Sequence, residues 1–122
     1  MQTLGQHMLI ELWDAELLDD VNAGEDALVA TVRATGATLL DTRMIPFPNG
    51  GYSGVCILAE SHLTIHTWPE HGYAAIDMFT CGPNMDYDAG LAMLKAHFRP
   101  GRAEVQTIER GRLAALTAAA AS

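Results

Sequence analysis

The sequence predicts an α+β fold, a two-layer α/β sandwich in which two helices cover one face of a largely antiparallel sheet. Two observations carry the prediction. Strand-like and helix-like stretches follow one another as strand, helix, three or four strands, helix, strand, without the strict alternation that builds a parallel sheet. Both helical stretches also carry their apolar residues on one side, so each has a stripe to bury. With 122 residues the chain suits a single domain, 1–122, large enough for a core but small enough that a site can need a second subunit. The sheet face without helices needs a cover, and a second copy is the commonest one, so a homodimer is expected.

Residues 7–13, His-Met-Leu-Ile-Glu-Leu-Trp, mix alternation with an apolar centre and read as the first strand. Asn22 precedes Glu25 by three residues, a capping-box spacing, and Leu28, Val29 and Val32 with Ala27, Ala30 and Ala34 continue a helical face to Gly36. Residues 37–45 read as a second strand. Pro46-Phe47-Pro48-Asn49-Gly50-Gly51 is a loop, since its prolines remove donors and its glycines permit positive φ. A third strand, 52–59, runs into a fourth at Ser61 with no Pro or Gly between them, which predicts a wide irregular turn or a place where the chain is later broken. Pro69 ends the fourth strand and Gly72 opens the fifth, Tyr73 to Thr80. Asp86 caps a second helix through Phe98, Arg99-Pro100-Gly101 stops it, and Ala103 to Ile108 form the last strand. The Ala-rich tail from Leu113 to Ser122 reads as a weak terminal helix or as disordered, with no chemistry.

Composition excludes several classes. The net charge is −8 and the seven Lys and Arg are scattered, so no basic stripe exists to neutralise phosphates and nucleic acid is not an expected partner. No apolar run approaches the roughly 18 residues of a membrane span, and the N-terminus carries no charged-then-apolar signal. Two cysteines, Cys56 and Cys81, make no disulfide framework. A cytoplasmic location with reduced thiols is the expectation.

Reactive groups concentrate between residues 60 and 81. His62, His66 and His71 suggest metal ligands at first sight, but Thr64, Ile65 and Thr67 favour a strand, on which residues four apart stand about 13 Å apart. They cannot share one ion, so no metal is expected and each reads as a half-exposed structural histidine. Taken alone, Cys81 and Cys56 read as small buried hydrophobes. Asp77 on an apolar strand implies either a hydrogen-bond network or a solvent-facing position. Ser61 lacks a Gly-x-Ser-x-Gly elbow, which disfavours a conventional Ser-His-acid hydrolase. Ser61 and His66 are five apart, so on a regular strand they point to opposite faces. Any joint role needs a kink, a break, or a strand that begins after Ser61.

The run Glu60-Ser61-His62-Leu63-Thr64-Ile65-His66-Thr67-Trp68-Pro69-Glu70, with Gly72-Tyr73-Ala74-Ala75 and Phe79-Thr80-Cys81-Gly82, closely resembles the prokaryotic S-adenosylmethionine decarboxylase proenzymes. Gly5, His7, Ser53-Gly54 and Arg110-Gly111 extend the resemblance over roughly residues 3–111. It implies a self-made cofactor. Ser61 would attack the carbonyl of Glu60 and form an ester. His66 would take the α-proton for β-elimination, and Ser53 would help to hold the ester. Residues 1–60 would become the β chain and 61–122 the α chain, whose first residue would be a pyruvoyl group. That group would form a Schiff base with the substrate amine and accept the electrons released by decarboxylation, as pyridoxal phosphate does elsewhere. Cys81 would reprotonate the product, a proton-donor role open to a thiol at neutral pH.

By the same resemblance Phe47 would stack on adenine and Glu70 would hold the ribose hydroxyls of S-adenosylmethionine. The product would be the aminopropyl donor for spermidine, the enzyme a homodimer with residues of both subunits near each site. Two departures stand out. Pro48 comes one place early in the loop and Tyr52 puts an aromatic beside Ser53, which bears on adenine stacking; His71 replaces the usual aromatic after Pro69-Glu70. Two other readings remain open here: a pyruvoyl-dependent arginine or ornithine decarboxylase of the same descent, and an unprocessed homologue that regulates an active decarboxylase.

Overall fold

A computed structural model describes residues 3–81 and 84–113 of the chain. Gly82, Pro83 and the Ala-rich tail from residue 114 onward lie outside the described residues.

Alternation assigns the two faces of the sheet. In β1 (Thr3–Trp13), Met8, Ile10 and Leu12 are buried while His7, Leu9 and Glu11 face the other way. β3 (Tyr52–Leu58) buries Tyr52, Gly54, Cys56 and Leu58, β4 (Ser61–Trp68) buries Leu63, Ile65 and Thr67, and β5 (Tyr73–Thr80) buries Ala74, Ile76, Met78 and Thr80. With β2 (Leu39–Pro46) and β6 (Arg102–Arg112) these strands form one six-stranded sheet in the order β2-β3-β4-β5-β1-β6, and every neighbouring pair is antiparallel. The fold class expected from the sequence is the one observed.

Helices α1 (Val21–Thr35) and α2 (Tyr87–Phe98) supply the rest of the core, with Ala27, Leu28, Val32, Leu94 and Phe98 against the buried strand residues. The Asp86 cap is present, its side chain accepting from the Ala89 N–H. The cap of α1 is not Asn22 but Asp20, whose carboxylate accepts from the Ala23 N–H at 3.1 Å. Leu17 takes a positive φ and its carbonyl receives the Asp20 N–H, so a turn starts the helix earlier than the capping-box spacing implies.

Among the described residues no helix lies against the other sheet face. That face carries His7 and Glu11 on β1, His62, Thr64, His66 and Trp68 on β4, and Tyr73, Asp77 and Phe79 on β5. Ile45, Ile57 and Ile108 stand among these polar groups as exposed aliphatic residues. Glu11 accepts the Tyr73 hydroxyl; burial first and then this carboxylate push the phenol up to about 12. No described helix is long and apolar enough to cross a membrane.

Candidate active site

The junction without turn chemistry is a tight one. Only Ala59 and Glu60 separate β3 from β4, which corrects the expectation of a wide irregular turn. Two-residue hairpins ordinarily need positive φ, but among the described residues the only non-glycine positions with it are Asp14, Leu17 and Arg99. Tertiary contacts hold the turn instead. The Ala59 N–H donates to the Thr38 carbonyl at 2.9 Å, and the Glu60 carboxylate accepts from the Thr38 N–H at 3.0 Å and its hydroxyl at 3.4 Å. The Thr38 N–H is the main cause holding the Glu60 carboxyl below its ordinary pKa.

The Glu60 carbonyl oxygen, which belongs to the Glu60–Ser61 peptide bond, accepts the Cys81 thiol at 2.9 Å. Cys81 is exposed at the end of β5, so the reading of it as a buried hydrophobe does not hold, whereas Cys56 is fully buried as expected. Cys81 also forms part of the wall of a cavity of about 220 Å³, together with Gly5, Gln6, Thr80 and Tyr87. Thr80 and Tyr87 close that wall through a contact between their hydroxyls.

β4 begins at Ser61 and runs without a kink, so the parity argument stands. Ser61 pairs with Thr80 at one end of the strand, and its Oγ lies 3.3 Å from Nδ1 of His62. His66 is on the helix-free face, where its Nδ1 lies 2.7 Å from the Ser53 hydroxyl across the β3–β4 ladder. Five residues at about 3.3 Å each put His66 roughly 16 Å along the strand from Ser61. The structure joins Ser53 to His66 and Glu60 to Cys81, but within one chain it does not join His66 to Ser61.

Phe47 and Glu70 lie at the His66 end. Phe47 opens a turn in which its carbonyl receives the Gly50 N–H while its own N–H donates to Gly51, with Pro48 in the position that favours such a turn. The ring is 43% exposed, and Glu70 is exposed on a short 3₁₀ turn, Pro69–His71. Gly51 lies so close to the Thr67 carbonyl and Pro69 that the loop packs against the end of β4. Tyr52 is turned away from this surface. It is fully buried on the helix side and donates its hydroxyl to the Leu17 carbonyl at 3.0 Å, so the unusual aromatic beside Ser53 is a core residue.

Two participants escaped sequence reasoning. Thr38 lies 22 residues before Glu60 and nothing local marks it. His62, read as structural, touches Ser61 and faces Asp77; its place next to Ser61 in the sequence was the available signal.

Comparison with known proteins gives a consistent result. The family model described as S-adenosylmethionine decarboxylase matches residues 6–111. The S-adenosylmethionine decarboxylase proenzyme of Thermomicrobium roseum is 48% identical over 112 residues, covering 91% of this chain and 97% of that protein. The proenzyme of the same name from Methanococcus maripaludis (strain S2) is 42% identical, covering 91% of this chain and 93% of its own length. The crystal structure of the adenosylmethionine decarboxylase from Aquifex aeolicus VF5 superposes with a TM-score of 0.84 at 33% identity, covering 92% of this chain and 94% of that one.

Proposed function

Since the chain belongs to the S-adenosylmethionine decarboxylase family, we propose that it decarboxylates S-adenosylmethionine to the aminopropyl donor of spermidine synthesis, using a pyruvoyl group made from its own Ser61. The observation that carries this reading is the Cys81 thiol on the carbonyl oxygen of Glu60, in the peptide bond that joins Glu60 to Ser61. Arginine or ornithine as substrate, and an unprocessed regulatory role, find no comparable support.

The residues present fit the formation of such a group. Ser61 Oγ adds to the Glu60 carbonyl carbon, and the oxygen that becomes negative is the one already facing the Cys81 S–H, a donor placed where charge develops. Cleavage of the C–N bond leaves an ester between Glu60 and Ser61. His66, held by Ser53 at 2.7 Å, removes the Ser61 α-proton, and elimination separates residues 1–60 from residues 61–122, leaving a dehydroalanine that tautomerises to an imine and takes up water to become the pyruvoyl group with loss of ammonia. The pyruvoyl group at the new end supplies a carbonyl conjugated to the reacting centre, the electron sink that decarboxylation needs. Cys81, exposed and on the cavity wall, gives the proton that replaces CO2 on the substrate. That step requires a free thiol, which suits a reducing compartment such as the cytoplasm. Phe47 stacks on the adenine and Glu70 accepts from the ribose hydroxyls.

The roughly 16 Å between Ser61 and His66 supports a homodimer in which each copy completes the other. Ser61 and Cys81 stand at one end of the sheet and Ser53, His66, Phe47 and Glu70 towards the opposite end, so two copies related by a two-fold axis across the helix-free face bring unlike ends together.

Intact mass under denaturing conditions tests the reading. Two species divided between Glu60 and Ser61, the second with a blocked end, are expected. A single full-length species after prolonged incubation would refute self-processing.

A further inference from the structure

His62 does more than fill space. Its Nδ1 lies 3.3 Å from Ser61 Oγ, and at the far side of the ring Nε2 lies 3.6 Å from Oδ1 of Asp77 on β5. His7 of β1 approaches the same oxygen with its Nε2 at 3.6 Å. Neither His7 Nε2 nor Asp77 Oδ1 has a hydrogen-bond partner, although both atoms are buried. The imidazole is also stacked on Phe79, with centroids 5.9 Å apart and planes 25° apart, and Arg110 of β6 lies over that Phe ring. A carboxylate facing Nε2 favours the tautomer with its proton there, which leaves the Nδ1 lone pair directed at the serine hydroxyl. The order serine, imidazole, carboxylate is that of an activated nucleophile, here attacking the chain's own backbone.

We propose that His62, positioned by Asp77, is the base for the first step of self-processing, a step separate from the one assigned to His66. This rests on the serinolysis reading above. His62 Nδ1 takes the Ser61 Oγ proton as the Oγ–C bond to Glu60 forms and the carbonyl electron pair moves to the oxygen that Cys81 faces. The imidazolium then returns that proton to the Ser61 nitrogen as the C–N bond breaks, giving the ester and a free α-amine with no net gain or loss of protons. Asp77 is a positioning residue: it touches no reacting atom and acts by orienting the ring and balancing its transient charge. The division of labour follows from reach, since His62 contacts Ser61 within its own chain and His66 does not.

The test uses precursor made by pulsed cell-free synthesis, with the ester trapped by hydroxylamine, which cleaves an ester at Glu60–Ser61 but leaves the peptide bond intact. In a His66→Ala background the ester accumulates and its rate of appearance reads the first step alone. Adding His62→Gln is expected to slow that appearance by about 100-fold or more, the usual worth of a positioned base. Asp77→Asn is expected to slow it less. Imidazole added to a His62→Gly chain should restore ester formation, which a misfolded chain would not do. Ester formation by His66→Ala/His62→Gln at the rate of His66→Ala alone would overturn the assignment. Absence of any ester or cleavage in both His66→Ala and the unaltered chain would overturn the serinolysis reading beneath it.

Discussion

Mixing two inactive variants tests where the processing histidine comes from. Ser61→Ala lacks the nucleophile and His66→Ala lacks the elimination base. Within one chain these groups stand roughly 16 Å apart along a straight strand, against the ~3 Å that proton transfer requires. No rotamer of His66 covers that gap, so under the proposed reading the base comes from another copy. In a mixed dimer the Ser61→Ala chain lends its intact His66 to the intact Ser61 of its partner, and the second site of the pair has neither. With equal amounts and random pairing, about half of the His66→Ala chains face a competent partner and should be cleaved. The assay is co-synthesis of the two variants, distinguished by an added tag mass, followed by intact mass measurement. Cleavage confined to the His66→Ala chain, near one half of it, is the expected result. If co-synthesis leaves every His66→Ala chain intact while unaltered protein is cleaved, the distance argument fails and the two residues meet within one chain.

Cys81→Ala removes the donor on the Glu60 carbonyl and is expected to slow chain cleavage by roughly 10²- to 10³-fold, with Cys81→Ser, which keeps a donor, falling between it and the unaltered chain; time courses of cleavage rank the three. Glu60 titrates below its ordinary value, so its contribution to stability is full above the unfolded carboxyl pKa of about 4.3 and is lost as pH falls through the folded value. In the uncleaved Ser61→Ala protein, replacing Glu60 with Gln should therefore flatten part of the acid-side fall in urea midpoint. A side chain at Gly24 would put its Cβ 2.1 Å from the Tyr52 hydroxyl oxygen, so Gly24→Ala is expected to destabilise by about 1–3 kcal/mol through overpacking. In a Tyr52→Leu background the same change should be near neutral or stabilising, because Ala is the better helix former, and urea melts of the four proteins complete the cycle.

The fold class was legible because it depends on local pattern: period-two burial in β1, β3, β4 and β5, and the Asp86 cap of α2, are written in neighbouring residues. The cap of α1 was misplaced because Asp20 and Asn22 are both chemically competent, and the choice between them is made by the Leu17 turn. The turn at Ala59-Glu60 left no mark in the sequence, since it is held by Thr38 and Cys81, each more than twenty residues away. Parity correctly placed Ser61 and His66 on opposite faces, and the structure shows no kink that would reunite them. Strand order was also beyond local pattern, because β1 lies between β5 and β6, the two strands on either side of α2.

That strand order bears on what a cut at Glu60–Ser61 leaves behind. The first fragment would own β1, β2 and β3, the second β4, β5 and β6, and three of the five ladders would join one fragment to the other: β3 to β4, β5 to β1, and β1 to β6. The first strand made is clasped by two strands of the later fragment, so the severed pieces stay threaded through each other. The Cys81 thiol and the Glu60 carbonyl also meet only once β4 and β5 have zipped together. The reactive group would thus be made only by chains that have finished folding, and the scission itself records a completed sheet.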